Sequence, residues 1–196
     1  MITRNFILIL CFFASTAAVV GQVKVDPAIQ SKFDAFIDYS NSKQWDKAFD
    51  LIYPKLFTRV PKQDMVNMMK QMEVGMSLQM QNTKITSSSL PVQDGDETFV
   101  KLSYVSDMVF TIEKGGMYDE PKYIQSIGDQ FKSSYGPRSV QWDADAKIYR
   151  IHATKDMMAI NPGNGDWKLV EINLEQLELM EFLFSQKIMD ELVRAE

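Results

Sequence analysis

Residues 100–112 constrain this chain more than any other segment. Val100, Leu102, Tyr104, Met108, Phe110 and Ile112 share one parity, while Lys101, Ser103, Asp107 and Thr111 take the other. A period of two over such a length is the mark of a β-strand with one face buried and one face wet. Glu113 continues the polar parity, and Lys114-Gly115-Gly116 ends the strand. The alternation falters at Val105-Ser106, which marks a place for a bulge.

The segments before this strand are helical. Asp26-Pro27 suits a helix start, with Asp as N-cap and Pro in the first turn. Ile29, Phe33, Phe36 and Ile37 then form a stripe. Asn41-Ser42 interrupt it and are expected to cap a second helix carrying Trp45, Ala48, Phe49, Ile52 and Leu56, which Pro54 should kink or end. Val60-Pro61 opens a third, with Met65, Met68, Met69 and Met72 on one side and Gly75 as its C-terminal cap. The period then changes: Met76, Leu78 and Met80 alternate, and Pro91–Glu97 reads as a hairpin loop.

The segments after the long strand repeat the mixture. Pro121 starts a helix of about 120–135, lined by Tyr123, Ile124, Ile127 and Phe131 and stopped by Gly136-Pro137; Gly128 weakens it. Residues 139–142 and 147–153 read as a hairpin around Asp143-Ala144-Asp145. Residues 157–160 and 167–172 form another around the turn 161–166. Asn173 and Gln176 resemble a capping box, opening a C-terminal helix lined by Leu177, Met180, Phe184, Ile188 and Leu192. Helices, then a run of antiparallel strands, then a last helix make the fold class α+β.

The N-terminus is read as an address. Arg4 precedes the apolar run Phe6–Ala14, and small residues follow through Gly21, the layout of a secretory signal peptide. Cleavage fits after Ala18 or after Gly21; Gly21 is preferred, so residues 1–21 are the signal peptide and 22–196 one mature domain. That segment holds Arg4 and Cys11, so the mature chain is cysteine-free, with 20 basic and 26 acidic residues and a formal charge of -6. It is expected to be exported, to the periplasm or the medium, with no membrane span after the signal is removed. The acidity argues against nucleic acid as a generic partner, though a local basic patch is compatible with it. A single His rules out a multi-histidine metal site.

Each chemical candidate has a plainer reading. The methionines at 65, 68, 69, 72, 76 and 80 are soft donors suited to Cu(I), but their spacing is that of a helix core. His152 stands alone on a strand, without triad-like spacing, and reads as an exposed or hydrogen-bonded strand residue. Asp94-Gly95-Asp96 and Asp143-Ala144-Asp145 lack the ligand spacing of a calcium loop and read as turns. No catalytic residue, metal or cofactor is assigned.

The run Ser42 to Phe57, with Trp45-Asp46-Lys47-Ala48 and Tyr53-Pro54-Lys55-Leu56-Phe57, resembles the second helix of exported bacterial proteins in the nuclear transport factor 2-like superfamily. Met157–Ile160, a turn and Asp166–Glu171 resemble the closing hairpin of such domains. The resemblance implies three N-terminal helices on a curved antiparallel sheet. It also implies a cone that other members use as a pocket, here with an extra helix between strands and a C-terminal helix. Pocket candidates are then Tyr104, Met108, Trp142 and Trp167. The expected function is a non-catalytic exported binding or interaction module for a small apolar ligand or a protein partner. One alternative is an isomerase- or dehydratase-like enzyme using Tyr104 and a carboxylate. Another is an assembly protein or homodimer formed through apolar residues of the C-terminal helix, Leu174 to Leu192.

Overall fold

A computed structural model describes residues 24–194, so the signal peptide expected at residues 1–21 lies outside the described residues. The helices α1 (Pro27–Asn41), α2 (Trp45–Asp50) and α3 (Lys62–Met72) come first. The strands β1 (Met76–Ser88), β2 (Val92–Asp94) and β3 (Glu97–Ile112) follow, then α4 (Pro121–Tyr135). The chain continues through β4 (Val140–Asp143), β5 (Ile148–Asn161) and β6 (Lys168–Ile172), and ends in α5 (Leu177–Leu183) and α6 (Gln186–Arg194). The fold is α+β, with one six-stranded sheet in which every named pair is antiparallel.

β3 and β5 form the spine of that sheet, paired from Thr98↔Asn161 to Thr111↔Ile148. The parity read from the sequence holds: Val100, Leu102, Tyr104, Met108, Phe110 and Ile112 are all buried on one face, here called inner. Ser106 joins them, and its hydroxyl meets that of Thr83 at 2.7 Å. β3 itself is unbroken. The expected irregularity lies in its partner β1, where the register slips between Gln81 and Lys84 and again between Ile85 and Ser87. Asn82 sits at the first slip with φ 51°, a left-handed conformation that Asn tolerates better than most residues.

Two helices share the inner face. α1 lays Ile29 and Phe33 over Val100, Leu102, Tyr104 and Leu169, with the Phe33 and Tyr104 rings edge to face at 5.3 Å. α4 lays Ile124, Ile127 and Phe131 over Met108, Phe110, Tyr149 and Ile151, with Phe131 4.5 Å from the Phe110 ring. The other face is covered at one end only, where Phe99, Met158, Ile160 and Val170 meet Met180, Leu183, Phe184, Ile188 and Leu192. This explains a change of pattern within β5. Residues 157–160 are buried on both faces and read as a continuous apolar run, whereas 149–153 alternate because only α4 covers them.

Three local expectations are corrected. Asn41 does not cap α2: its side chain exchanges two hydrogen bonds with the Met80 backbone (2.9 and 2.8 Å), because an edge-strand amide offers both a donor and an acceptor. The C-terminal helix is two helices, broken at Phe184-Ser185, where Phe184 is extended. The break lets both pieces bend over the sheet, so the apolar surplus is buried and only Leu177 stays largely exposed. On α3 the fully buried residue is Val66 while Met68 is 58% exposed, so the methionine stripe is narrower than the spacing suggests. No helix among the described residues is long and apolar enough to cross a membrane.

Candidate functional site

The sheet edge beyond β5 is shared by two short strands. β4 pairs with residues 148–151 and β6 with residues 156–160. The Ser139 carbonyl extends the β4 side by accepting from the His152 N–H at 3.0 Å. Between them, residues 153–155 have no partner strand on this side among the described residues. Backbone groups in a strand alternate in direction, so the N–H and C=O of Thr154 point the same way as those of His152, into the gap. The result is a notch in the sheet edge, with a cavity of about 450 Å³.

Its walls are polar. Ser134 and Tyr135 come from the last turn of α4, and Asn173, Leu174 and Glu175 from the short turn after β6. Lys155, opposite Tyr104 in the register, faces inward and forms an ion pair with Glu171. Its ammonium also lies 5.4 Å from the centre of the Tyr135 ring. On the outer side Lys101 pairs with Asp156 at 2.9 Å. Both lysines of the notch are thus committed to carboxylates, and both are largely buried.

Behind this wall lies Tyr104. Burial, and then the negative charge of Glu171, push its ionisation well above the ordinary tyrosine range. Its hydroxyl therefore keeps its proton and acts as a hydrogen-bond donor, not as a base.

A second cavity adjoins the first. It measures about 240 Å³ and is lined mainly by Leu90, Val92, Phe99, Met158, Ile188 and Leu192 beneath α6. Lys101 and Leu192 line both spaces. A polar notch therefore opens onto an apolar trough.

The four pocket candidates from the sequence are not brought together. Met108 packs in the cluster under α4, and Trp167 in the cluster under α1. Trp142 stacks on Tyr149 at 4.3 Å, at the far end of the sheet. Only Tyr104 stands beside the notch. The cone that the four were expected to line is occupied by side chains of α1 and α4. Lys155, Glu171 and Tyr135 escaped the sequence reading. The available signal was a Lys on the inward parity of an otherwise apolar strand, between Ala153 and Met157.

His152 is hydrogen-bonded on its strand, with Nδ1 2.7 Å from Asp107 Oδ1. Among the described residues, no group of three or more His, Cys, Asp or Glu side chains could hold a metal ion.

No family model and no curated protein sequence matches the chain. Among solved structures, a protein from Xanthomonas campestris pv. campestris described as a "putative polyketide cyclase" is similar to it. The two are 13% identical, the match covers 76% of this chain and 93% of that one, and the TM-score is 0.36. The likeness is a distant one in fold.

Proposed function

We propose that this protein is an exported, non-catalytic binding module whose ligand is small, amide-bearing and amphipathic. The observation that carries the reading is the meeting of the polar notch and the apolar trough at Lys101 and Leu192. A ligand amide would meet the free N–H and C=O of Thr154, and an apolar tail would lie beneath α6. Both lysines in the notch already have carboxylate partners, which favours a neutral polar end over a charged one.

Binding rather than catalysis is supported by the state of these groups. A general base needs a carboxylate or imidazole free to accept a proton. Glu171 and Asp156 are tied to lysines, Tyr104 is held protonated, and the remaining carboxylate of the notch, Glu175, is solvent-exposed. Export rests on the N-terminal pattern, and N-terminal sequencing of the secreted protein should begin at Gln22. The order of three helices, a sheet and an inserted helix supports the resemblance to the nuclear transport factor 2-like superfamily.

Calorimetry with a panel of medium-chain N-acyl amino acid amides tests the reading. Leu90→Glu places a charge in the trough at an exposed position, and Lys101→Met alters the junction. Both should weaken binding, and Tyr104→Phe should retain it. A second reading, an enzyme at the same notch, is favoured only by the juxtaposition of Tyr104 with Glu171. It predicts turnover of a bound amide that Tyr104→Phe abolishes.

A further inference from the structure

The uncovered half of the outer face carries a further concavity, separate from the notch and the trough. It measures about 370 Å³ and lies over the β1 bulge, β3, β5 and the start of β4. Arg138, Arg150 and His152 line it together with Asn82 and Gln141, and Asp107 is the one acidic residue in its lining. Neither guanidinium has a hydrogen-bond or ion-pair partner among the described residues. By contrast, most lysines that line the other cavities sit opposite carboxylates.

The local carboxylate is already engaged. Asp107 Oδ2 accepts from Asn82 Nδ2 at 2.8 Å, and Oδ1 faces His152 Nδ1 at 2.7 Å. These two bonds, Asn82 first, hold the Asp107 carboxyl below the usual range, so it stays ionised and committed to them. The contact at Nδ1 fixes the imidazole and leaves Nε2 free. Two unpaired arginine forks around one concavity supply the N–H donors for a tetrahedral or planar oxyanion, and the imidazole, whose Nδ1–H is given to Asp107, adds a donor at Nε2 only as the imidazolium. The chain as a whole is acidic, at a formal -5, so attraction of an anion to this face would have to come from these local cations and not from net charge.

We infer that the groove formed by Arg138, Arg150 and His152 is an oxyanion site that takes the phosphate-type group of a small molecule. It lies on the exposed sheet face, away from α5 and α6, and its occupancy does not depend on the ligand proposed for the notch.

The chain holds a single His, so its imidazole proton resonances report on this groove alone. Inorganic phosphate, titrated at constant ionic strength with sodium chloride as the balance, should shift those resonances saturably. Arg150→Gln and Arg138→Gln should each weaken the effect by about tenfold, the loss of one charge-assisted hydrogen bond. Arg59→Gln, where the guanidinium lies over Phe182, should not change it. Amide spectra outside the groove show whether each variant remains folded. A shift no different from that with chloride alone would overturn the assignment, as would one that survives both groove variants. If anionic phospholipid vesicles bind through the same arginines while free phosphate does not, the small-molecule assignment fails and a lipid surface takes its place.

Discussion

Gly128→Ala tests how tightly α4 is seated on the inner face. A methyl group at Gly128 would lie 2.6 Å from the Tyr149 hydroxyl and 3.2 Å from the ring carbon that bears it. Tyr149 cannot easily withdraw. Its hydroxyl donates to the Ile124 carbonyl at 2.6 Å, and its ring is flanked by Phe131 at 5.4 Å and Trp142 at 4.3 Å. Replacing Gly by Ala in a free helix gains about 1 kcal/mol. Overpacking here costs about 1–3 kcal/mol, and losing the hydroxyl bond costs about 1 more. The net expectation is a loss of about 1–3 kcal/mol, read as a drop in Tm of roughly 3–10 °C. Urea unfolding followed by tryptophan fluorescence measures it. In a Tyr149→Phe background the nearest contact is gone, so Gly128→Ala should cost clearly less there, a coupling of about 1–2 kcal/mol. Stabilisation of the wild type by Ala, or additive effects in the cycle, would refute the packing argument.

Asp166 joins α1 to the entry of β6 through Lys168 at 2.8 Å and Lys32 at 2.7 Å. Those hydrogen bonds lower its pKa to about 2. A depressed carboxyl stabilises the fold above its unfolded value and loses that contribution as pH falls toward 2. Asp166→Asn should therefore be less stable than wild type at pH 7, with the gap closing below pH 3.8 in thermal melts. Asn41→Ala removes both bonds to Met80 and should cost about 1–3 kcal/mol in denaturant unfolding. Met68→Gln, at an exposed position, should change stability by less than about 0.5 kcal/mol. Met76→Ala, at a buried one, should cost about 2–5 kcal/mol in the same assay.

The fold was largely legible because its spine is periodic. The inward parity of β3, the Pro-initiated α1 and α4, and the turns at Asp94-Gly95 and Asp143–Ala146 each follow from local chemistry. The bulge was legible as an irregularity but not as to strand. A slip shared by two paired strands leaves the same trace in either, and Asn82 with its positive φ was the better clue. The break at Phe184-Ser185 was hidden because both halves carry apolar residues at helical spacing. The notch was illegible for a different reason. It exists because β4 and β6 both pair with β5 and leave three residues between them, a property of topology and not of any segment. The Arg138–Arg150–His152 groove likewise depends on a turn and two strands meeting. The side that Tyr104 faces follows from its parity, but its carboxylate neighbour, Glu171, comes from β6, two strands away, and no local pattern points to it.

If the sheet-edge notch binds its ligand without transforming it, the ligand's contacts and its chemical integrity can be read in one experiment. Amide resonances of the isotopically labelled protein, followed during titration with an N-acyl amino acid amide, test this reading most directly. Saturable shifts are expected at Lys101, Thr154, Lys155, Glu171 and Leu192, with the added compound recovered unchanged. Shifts centred on the inner face beneath α1 and α4, or the appearance of a new compound during the titration, would contradict it.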